Sequence, residues 1–167
     1  MSDLDASLAV NRTAVDDLIS AAERCEGVWT TPRAPKKWSP SQIVEHVARS
    51  IEEGANVVAE RPTRLPTLPF FIRPIAHLGF NWILKRGAFP KAKTNKAMDP
   101  ISGPASVAEG RTRLLAALEA FDKDARSRAA AGGRFYSHAF GQIDVESYAR
   151  FMELHTRHHL KQMPVAE

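Results

Sequence analysis

The most informative stretch of this sequence is His155-Thr156-Arg157-His158-His159-Leu160-Lys161-Gln162, near the end of the chain. If the stretch is helical, His155 and His159 lie one turn apart and Gln162 follows on the same face. Two imidazoles at this spacing can bind one metal ion from a rigid backbone. A third ligand must come from elsewhere in the chain, and His46 on another predicted helix is the best candidate.

Three interpretations of this histidine pair compete. A solvated polar face is one, but Tyr148 and Met152 share the stripe of His155 and His159 and indicate that it points inward. Two separately hydrogen-bonded core histidines are the second, and each would then need its own partner in an apolar interior. A shared metal ion is the third, and it satisfies both rings at once. His158 lies on a different face and is predicted to be exposed.

The clearest start of a helix is the stretch Trp38-Ser39-Pro40-Ser41-Gln42-Ile43. Its first serine can be the N-cap, the proline fits the first helical position, and the glutamine completes a capping box. The tryptophan before the cap can pack on the isoleucine as a hydrophobic staple. This helix is predicted to continue to about Glu60. Ile43 and Ile51 lie on its inward stripe, and His46 lies next to that stripe.

Three more helices are predicted from apolar residues that recur at three- and four-residue steps. The first runs from about Ala6 to Glu26 and stops before a glycine. Another begins at a capping box formed by Ser106 and Glu109 and ends near residue 129. The last runs from about Val145 to Gln162, with Asp144 as its cap.

Four long helices, with little strand signal outside residues 134–140, predict an all-α protein with the architecture of a four-helix bundle. Its 167 residues suit one domain spanning 1–167. The single cysteine, Cys25, excludes an intramolecular disulfide, fits a reducing cytoplasm, and is expected to be a packed residue rather than a nucleophile. The first residues lack a basic region followed by an apolar run, so no signal peptide is expected.

The connection between the second and third long helices is unusual, and we call residues 61–103 the basic connection. It holds six of the eleven prolines and eight Lys or Arg residues against one acid, Asp99, which gives it a charge of +7 in a chain of net charge +4. Residues 68–84 are apolar and aromatic, with a short helix predicted from about Ile72 to Lys85, but interrupting polar residues make them a poor transmembrane segment. Such an insertion is typical of a lid, a binding loop or a contact surface, and it makes a homodimer plausible.

Three motifs occur in order along the chain: Trp38-Ser39 followed by His46, then Phe140-Gly141, and last His155-x-x-x-His159-x-x-Gln162. In these motifs the sequence resembles the DinB-like superfamily, which includes bacillithiol- and mycothiol-dependent transferases. The motifs are few and short, but they follow the family's element order along the whole chain, apart from the long basic connection. The resemblance implies an antiparallel four-helix bundle with a metal held by one histidine of the second helix and two of the fourth. In this chain it implies His46, His155 and His159 as ligands.

Three imidazoles leave a divalent ion with open positions, as catalytic sites do, and nitrogen ligands suit Zn, Ni or Fe(II). The leading hypothesis is therefore a metal-dependent enzyme acting on a small-molecule substrate. Its ion would activate water, as in a hydrolase, or a low-molecular-weight thiol cosubstrate, as in a transferase. Gln162 is placed to orient a ligand or a bound water. The alternative is a non-catalytic metal-binding bundle that acts as a small-molecule or protein binding module.

No catalytic residue is assigned from the sequence. Glu53 lies two turns from His46 and could approach the site, although a solvated or ion-paired role fits it better, and His138 and His77 are weaker candidates still. The acids beside the histidines in sequence, Glu45 and Glu153, point elsewhere on their helices.

A third function class is binding of nucleic acid or a membrane surface through the basic connection. Five basic residues between Lys85 and Lys96 surround one aromatic residue, Phe89. This is a weak signal for nucleic acid, so nucleic-acid binding is not expected.

Overall fold

The structure is a computed structural model that describes residues 3–91 and 96–164. The protein is mostly helical, as predicted. Its helices are α1 (Asp3–Arg24), α2 (Pro40–Val58), α3 (Arg73–Arg86), α4 (Val107–Ala130) and α5 (Val145–Leu160). Two short strands, β1 (Arg134–Ser137) and β2 (Gly141–Asp144), and two single 3₁₀ turns complete the described elements.

Local capping signals explain where the long helices begin. The Ser39 hydroxyl accepts from the Gln42 N–H, and the Gln42 side chain accepts from the Ser39 N–H, which confirms the predicted capping box of α2. Asp144 caps α5 by accepting from the Ser147 N–H at 2.7 Å. At α4 only half of the predicted box forms. Ser106 accepts from the Glu109 N–H, whereas the Glu109 carboxylate accepts from the N–H of Ala105 rather than from that of the cap residue.

The four long helices share one apolar core. Helix α2 packs on α4, and α1 packs on both α4 and α5. Aliphatic side chains of α1, α2 and α4 fill the space between the helices without exposure to solvent, among them Leu18, Ile51 and Leu118. Because α2 and α5 also contact each other, the two helices that carry the histidines are held side by side.

A β-hairpin connects α4 to α5, and its first strand lies within residues 134–140, the part of the sequence that carried a strand signal. β1 and β2 pair antiparallel with Phe135 opposite Ile143, and both side chains are buried. Gly133 and Gly141 have positive φ, which reverses the chain before and within the hairpin. The Val145 N–H then donates to the carbonyl of Gly133 at 2.8 Å, so the hairpin fixes the start of α5.

The basic connection contains α3, one residue displaced from the predicted short helix. Phe80 on α3 is buried against the rings of Phe140 and Phe151, and this contact anchors the helix to α5 and the hairpin. Lys93, counted above in the charge of the connection, lies outside the described residues. Within residues 3–91 and 96–164, no helix is both long and apolar enough to cross a membrane.

Candidate metal centre

Three imidazole rings meet between α2 and α5. His46 comes from α2, while His155 and His159 come from successive turns of α5. The Nε2 atom of His155 lies 3.4 Å from Nε2 of His46 and 3.2 Å from Nε2 of His159. One nitrogen from each ring falls within 4.8 Å of the other two. The structure therefore brings together the three histidines that the sequence selected.

The outer nitrogens of two rings are held by oxygen acceptors. His46 Nδ1 lies 2.8 Å from the carbonyl oxygen of Met98, and His159 Nδ1 lies 3.1 Å from Oε1 of Gln162. A carbonyl oxygen only accepts, so each Nδ1 must carry the proton. A neutral imidazole has only one N–H, so Nε2 is unprotonated and carries a lone pair. In both rings this lone pair faces the centre of the cluster.

The centre of the cluster is short of hydrogen-bond donors. His155 Nε2 carries at most one proton, so it cannot donate to the lone pairs of both His46 and His159. The Nδ1 atom of His155 is buried without a hydrogen-bond partner among the described residues. A divalent cation at the centre would satisfy all three Nε2 atoms. Nitrogens bound tetrahedrally at 2.0–2.1 Å are roughly 3.3 Å apart, close to the two separations observed.

Burial keeps these rings neutral, the form that binds metals. It lowers the pKa of His46, and it lowers the pKa of His155 well below the usual value. The pKa of His159 falls to about 3, mainly through burial and further because a protonated His46 would repel a second charge beside it. A ring without its proton at neutral pH needs no deprotonation before it binds a cation.

Two aromatic rings cover the cluster, and the sequence did not reveal either contact. The centroid of Trp38 lies 4.8 Å from that of His46 and 5.8 Å from that of His159. The ring of Phe89, from the basic connection, meets His155 edge-on at 5.2 Å. Two parts of the basic connection, the Phe89 ring and the Met98 carbonyl, therefore lie against the histidines.

Gln162 has two histidine partners instead of one. Its Oε1 atom faces His159, and its Nε2 donates to Nε2 of His158 at 3.1 Å. The prediction that His158 is exposed was wrong: the side chain is half-buried between the rings of His159 and Phe89. The carboxamide therefore fixes the orientation of His159 from outside the cluster.

The acids considered as general bases have other partners. Glu53 turns toward the segment after α2, where it accepts from the Thr63 hydroxyl at 2.6 Å and the Arg64 N–H at 2.8 Å. Glu45 pairs with arginines of α2 and α4, and Glu153 pairs with two arginines of α5. Each buried carboxylate is thus held by cations or donors rather than facing the cluster.

The remaining candidates lie apart from the three rings. His77 has its Nδ1 3.0 Å from the carbonyl oxygen of Phe140, and His138 is exposed at the turn of the hairpin. Cys25 is buried at the end of α1, where its thiol approaches the carbonyl of Pro164 at 3.7 Å and burial raises its pKa. A thiol with a raised pKa is a poor nucleophile at neutral pH.

Comparison with known proteins identifies the family. A family model described as the DinB superfamily matches residues 4–163. Neither the curated proteins nor the solved structures include a match to the chain. The family match spans nearly the whole chain, and it includes all three histidines of the cluster.

Proposed function

Because this chain belongs to the DinB superfamily and presents three convergent imidazoles, we propose that it is a metal-dependent enzyme. His46, His155 and His159 would hold a divalent ion such as Zn, Ni or Fe(II). The observation that carries the proposal is that Nε2 of His46 and Nε2 of His159 both point a lone pair at the centre of the cluster. A single proton on Nε2 of His155 cannot satisfy both. When bound, such an ion lowers the pKa of a water or of a low-molecular-weight thiol, the two chemistries proposed for this protein.

The proposed architecture is one domain, an antiparallel four-helix bundle of α1, α2, α4 and α5 with the basic connection as an insertion. The contacts of α2 with α4 and of α1 with α5 support it. A buried lone cysteine supports the further proposal that the protein works in a reducing cytoplasm.

The chain's own residues prepare the site. The Met98 carbonyl and the Gln162 carboxamide keep a proton on the outer nitrogen of their histidines, so that Nε2 remains free. Trp38 and Phe89 form apolar walls on two sides. These walls exclude water from the rings and favour a small substrate with an apolar or aromatic part.

A second candidate is a non-catalytic metal-binding module, and the burial of the rings favours it. His46 is 3% exposed and His159 is 5% exposed, so little of either ring is accessible from outside. A structural site is closed by protein groups, whereas a catalytic site keeps one position open. The two candidates therefore differ in whether an added small ligand can reach the ion.

The first experiment measures the metal content of untagged protein by plasma mass spectrometry. We expect about one ion per chain in the wild type and a large loss in His155→Ala. His138→Ala is the matched control, since it removes an exposed histidine outside the cluster, and it should keep the wild-type content. If the wild type binds no ion after incubation with Zn, Ni or Fe(II), the metal-site proposal fails.

The second experiment separates the enzyme from the binding module. Cobalt-loaded protein is titrated with imidazole and with a small thiol while its visible absorption is recorded. A spectral change that saturates shows an open position and supports the enzyme, whereas an unchanged spectrum favours the module. A screen of ester, amide and electrophile-plus-thiol substrates, run beside His155→Ala, would then distinguish hydrolase from transferase.

A further inference from the structure

Exposed apolar side chains are concentrated in one part of the basic connection. Of the nine large hydrophobic residues that are exposed in the described parts of the chain, six lie between Phe70 and Trp82. Phe70 is 77% exposed and Leu78 is 68% exposed. We call five of these residues the α3 apolar face: Phe70, Phe71, Ile75, Leu78 and Trp82.

The exposure does not arise from a loose helix. Ile75, Leu78 and Trp82 are spaced three and four residues apart, so they share one side of α3. Phe80 is 2% exposed on the other side, packed against the rings of Phe140 and Phe151. Helix α3 is therefore anchored by one apolar side and presents a second apolar side to the surroundings, where none of the described residues covers it.

Positive charge borders this face. Lys85 and Arg86 lie in the last turn of α3 and are exposed, as is Lys91 soon after the helix, and residues 61–98 include no aspartate or glutamate. The Arg86 guanidinium lies over the ring of Trp82, 5.0 Å from its centroid. Aromatic and aliphatic side chains beside Lys and Arg are the composition of a helix that lies in the interface of an anionic membrane.

From this juxtaposition we propose that the α3 apolar face docks onto the surface of an anionic lipid bilayer, with α3 in the plane of the headgroups. Phenylalanine, leucine and tryptophan would enter the upper acyl region, while Lys85 and Arg86 would contact the phosphates. This face suits a second copy of the chain less well, because a symmetric dimer would bring two segments of charge +7 together. The proposal is independent of the metal site.

The test is flotation of the full chain with vesicles, one set of phosphatidylcholine alone and one with about a third phosphatidylglycerol. We expect binding to the anionic set that weakens as salt rises. Each of Lys85→Gln and Arg86→Gln should reduce the partition coefficient by about fivefold, the effect expected when one positive charge is removed from an anionic membrane surface. The double variant Ile75→Ser/Leu78→Ser should reduce it by roughly tenfold or more through lost apolar burial.

Val28→Ser is the matched control, since Val28 is exposed in the 3₁₀ turn that follows α1, outside the basic connection, and the variant should keep wild-type binding. Trp82 gives a second readout, because brominated acyl chains should quench its fluorescence in the wild type and not in Trp82→Phe. Circular dichroism of each variant establishes that it is folded.

Three results would overturn the proposal. The first is wild-type protein that stays in the aqueous fraction at low salt with both vesicle sets. The second is an Ile75→Ser/Leu78→Ser variant that binds the anionic vesicles as well as the wild type does. The third is sedimentation showing a stable dimer that Leu78→Ser dissociates, since a second copy would then occupy the face.

Discussion

Gly103 should be the glycine whose replacement by alanine destabilises the protein most. It lies where the basic connection crosses the first turn of α2, and an added Cβ would overlap the backbone carbonyl of Ser41. A backbone group cannot move aside as a flexible side chain can. The segment would have to lift away from α2, and the carbonyl of Pro104 would move with it. That carbonyl accepts from Trp29 Nε1 at 2.8 Å and from the Ser41 hydroxyl at 2.7 Å.

The size of the effect follows from those two hydrogen bonds. Each contributes about 1 kcal/mol, and leaving buried donors unpaired adds to the loss, so Gly103→Ala should cost about 2–3 kcal/mol of unfolding free energy. In a chain of this length, that corresponds to a decrease of about 5–10 °C in Tm. Urea unfolding followed by circular dichroism measures it directly.

Gly79→Ala is the matched control. Gly79 lies inside α3, and its added Cβ would meet no atom within 4 Å. Alanine should stabilise the helix there by about 0.5–1 kcal/mol. A Gly103→Ala protein within about 0.5 kcal/mol of the wild type would show that the connection does not pack on α2 as described, given the usual scatter of surface substitutions.

Three further predictions concern side-chain contacts. Gln162→Leu removes the acceptor that holds His159 Nδ1, so it should weaken zinc binding by about 10–100-fold in a chelator competition; an unchanged Kd would mean that the carboxamide does not orient the ring. Ser39→Ala removes the N-cap of α2 and should cost about 1 kcal/mol in urea unfolding, and a neutral result would contradict the capping box. Burial raises the pKa of Glu45, but hydrogen bonds from arginines, Arg113 foremost, outweigh it and hold that pKa below its ordinary value. The contribution of ionised Glu45 to the free energy of unfolding is therefore fully present above its unfolded pKa of about 4.3. It is lost as the pH falls through the lower pKa of the folded state. The Arg113→Met protein should therefore be less stable than the wild type at pH 7 and lose less stability than the wild type on acidification. Urea midpoints at several pH values measure both, and an equal loss in the two proteins would refute the role of Arg113 in holding the Glu45 carboxylate.

Features encoded by near neighbours could be predicted from the sequence. The capping box at Ser39 needs only Gln42, three residues away, and the cap at Asp144 needs only Ser147. The relation between His155 and His159 likewise follows from one helical turn. Each of these interactions is decided by the helical repeat alone, so the rest of the fold does not alter it.

Features that depend on distant contacts could not be predicted in this way. Trp38 lies beside His159 only because α2 and α5 pack against each other. The carbonyl that accepts from His46 is that of Met98, 52 residues further along the chain. Glu53 shares a helix face with His46, yet its carboxylate binds the segment that follows α2. The face of a helix is periodic, whereas the direction of a long side chain depends on its partners.

The hairpin shows a different limit. Its strands are only four residues long, too short for a clear alternation of apolar and polar side chains. The strand signal was therefore confined to residues 134–140 and did not reach the second strand. Phe135 and Ile143 pair and are both buried, so contacts with the rest of the protein stabilise a hairpin whose strands are short.

The histidines and the residues that cover them belong to different parts of the chain, and this separation bears on how such a protein can evolve. The three rings are borne by two rigid helices, whereas Phe89 and Met98, which lie over them, belong to a connecting segment. Mutations, insertions or exchange of that segment can therefore alter what enters the site while the spacing of the rings is inherited unchanged. One ancestral arrangement of helices could in this way give rise to descendants whose sites admit different ligands, each distinguished by its connection rather than by its histidines.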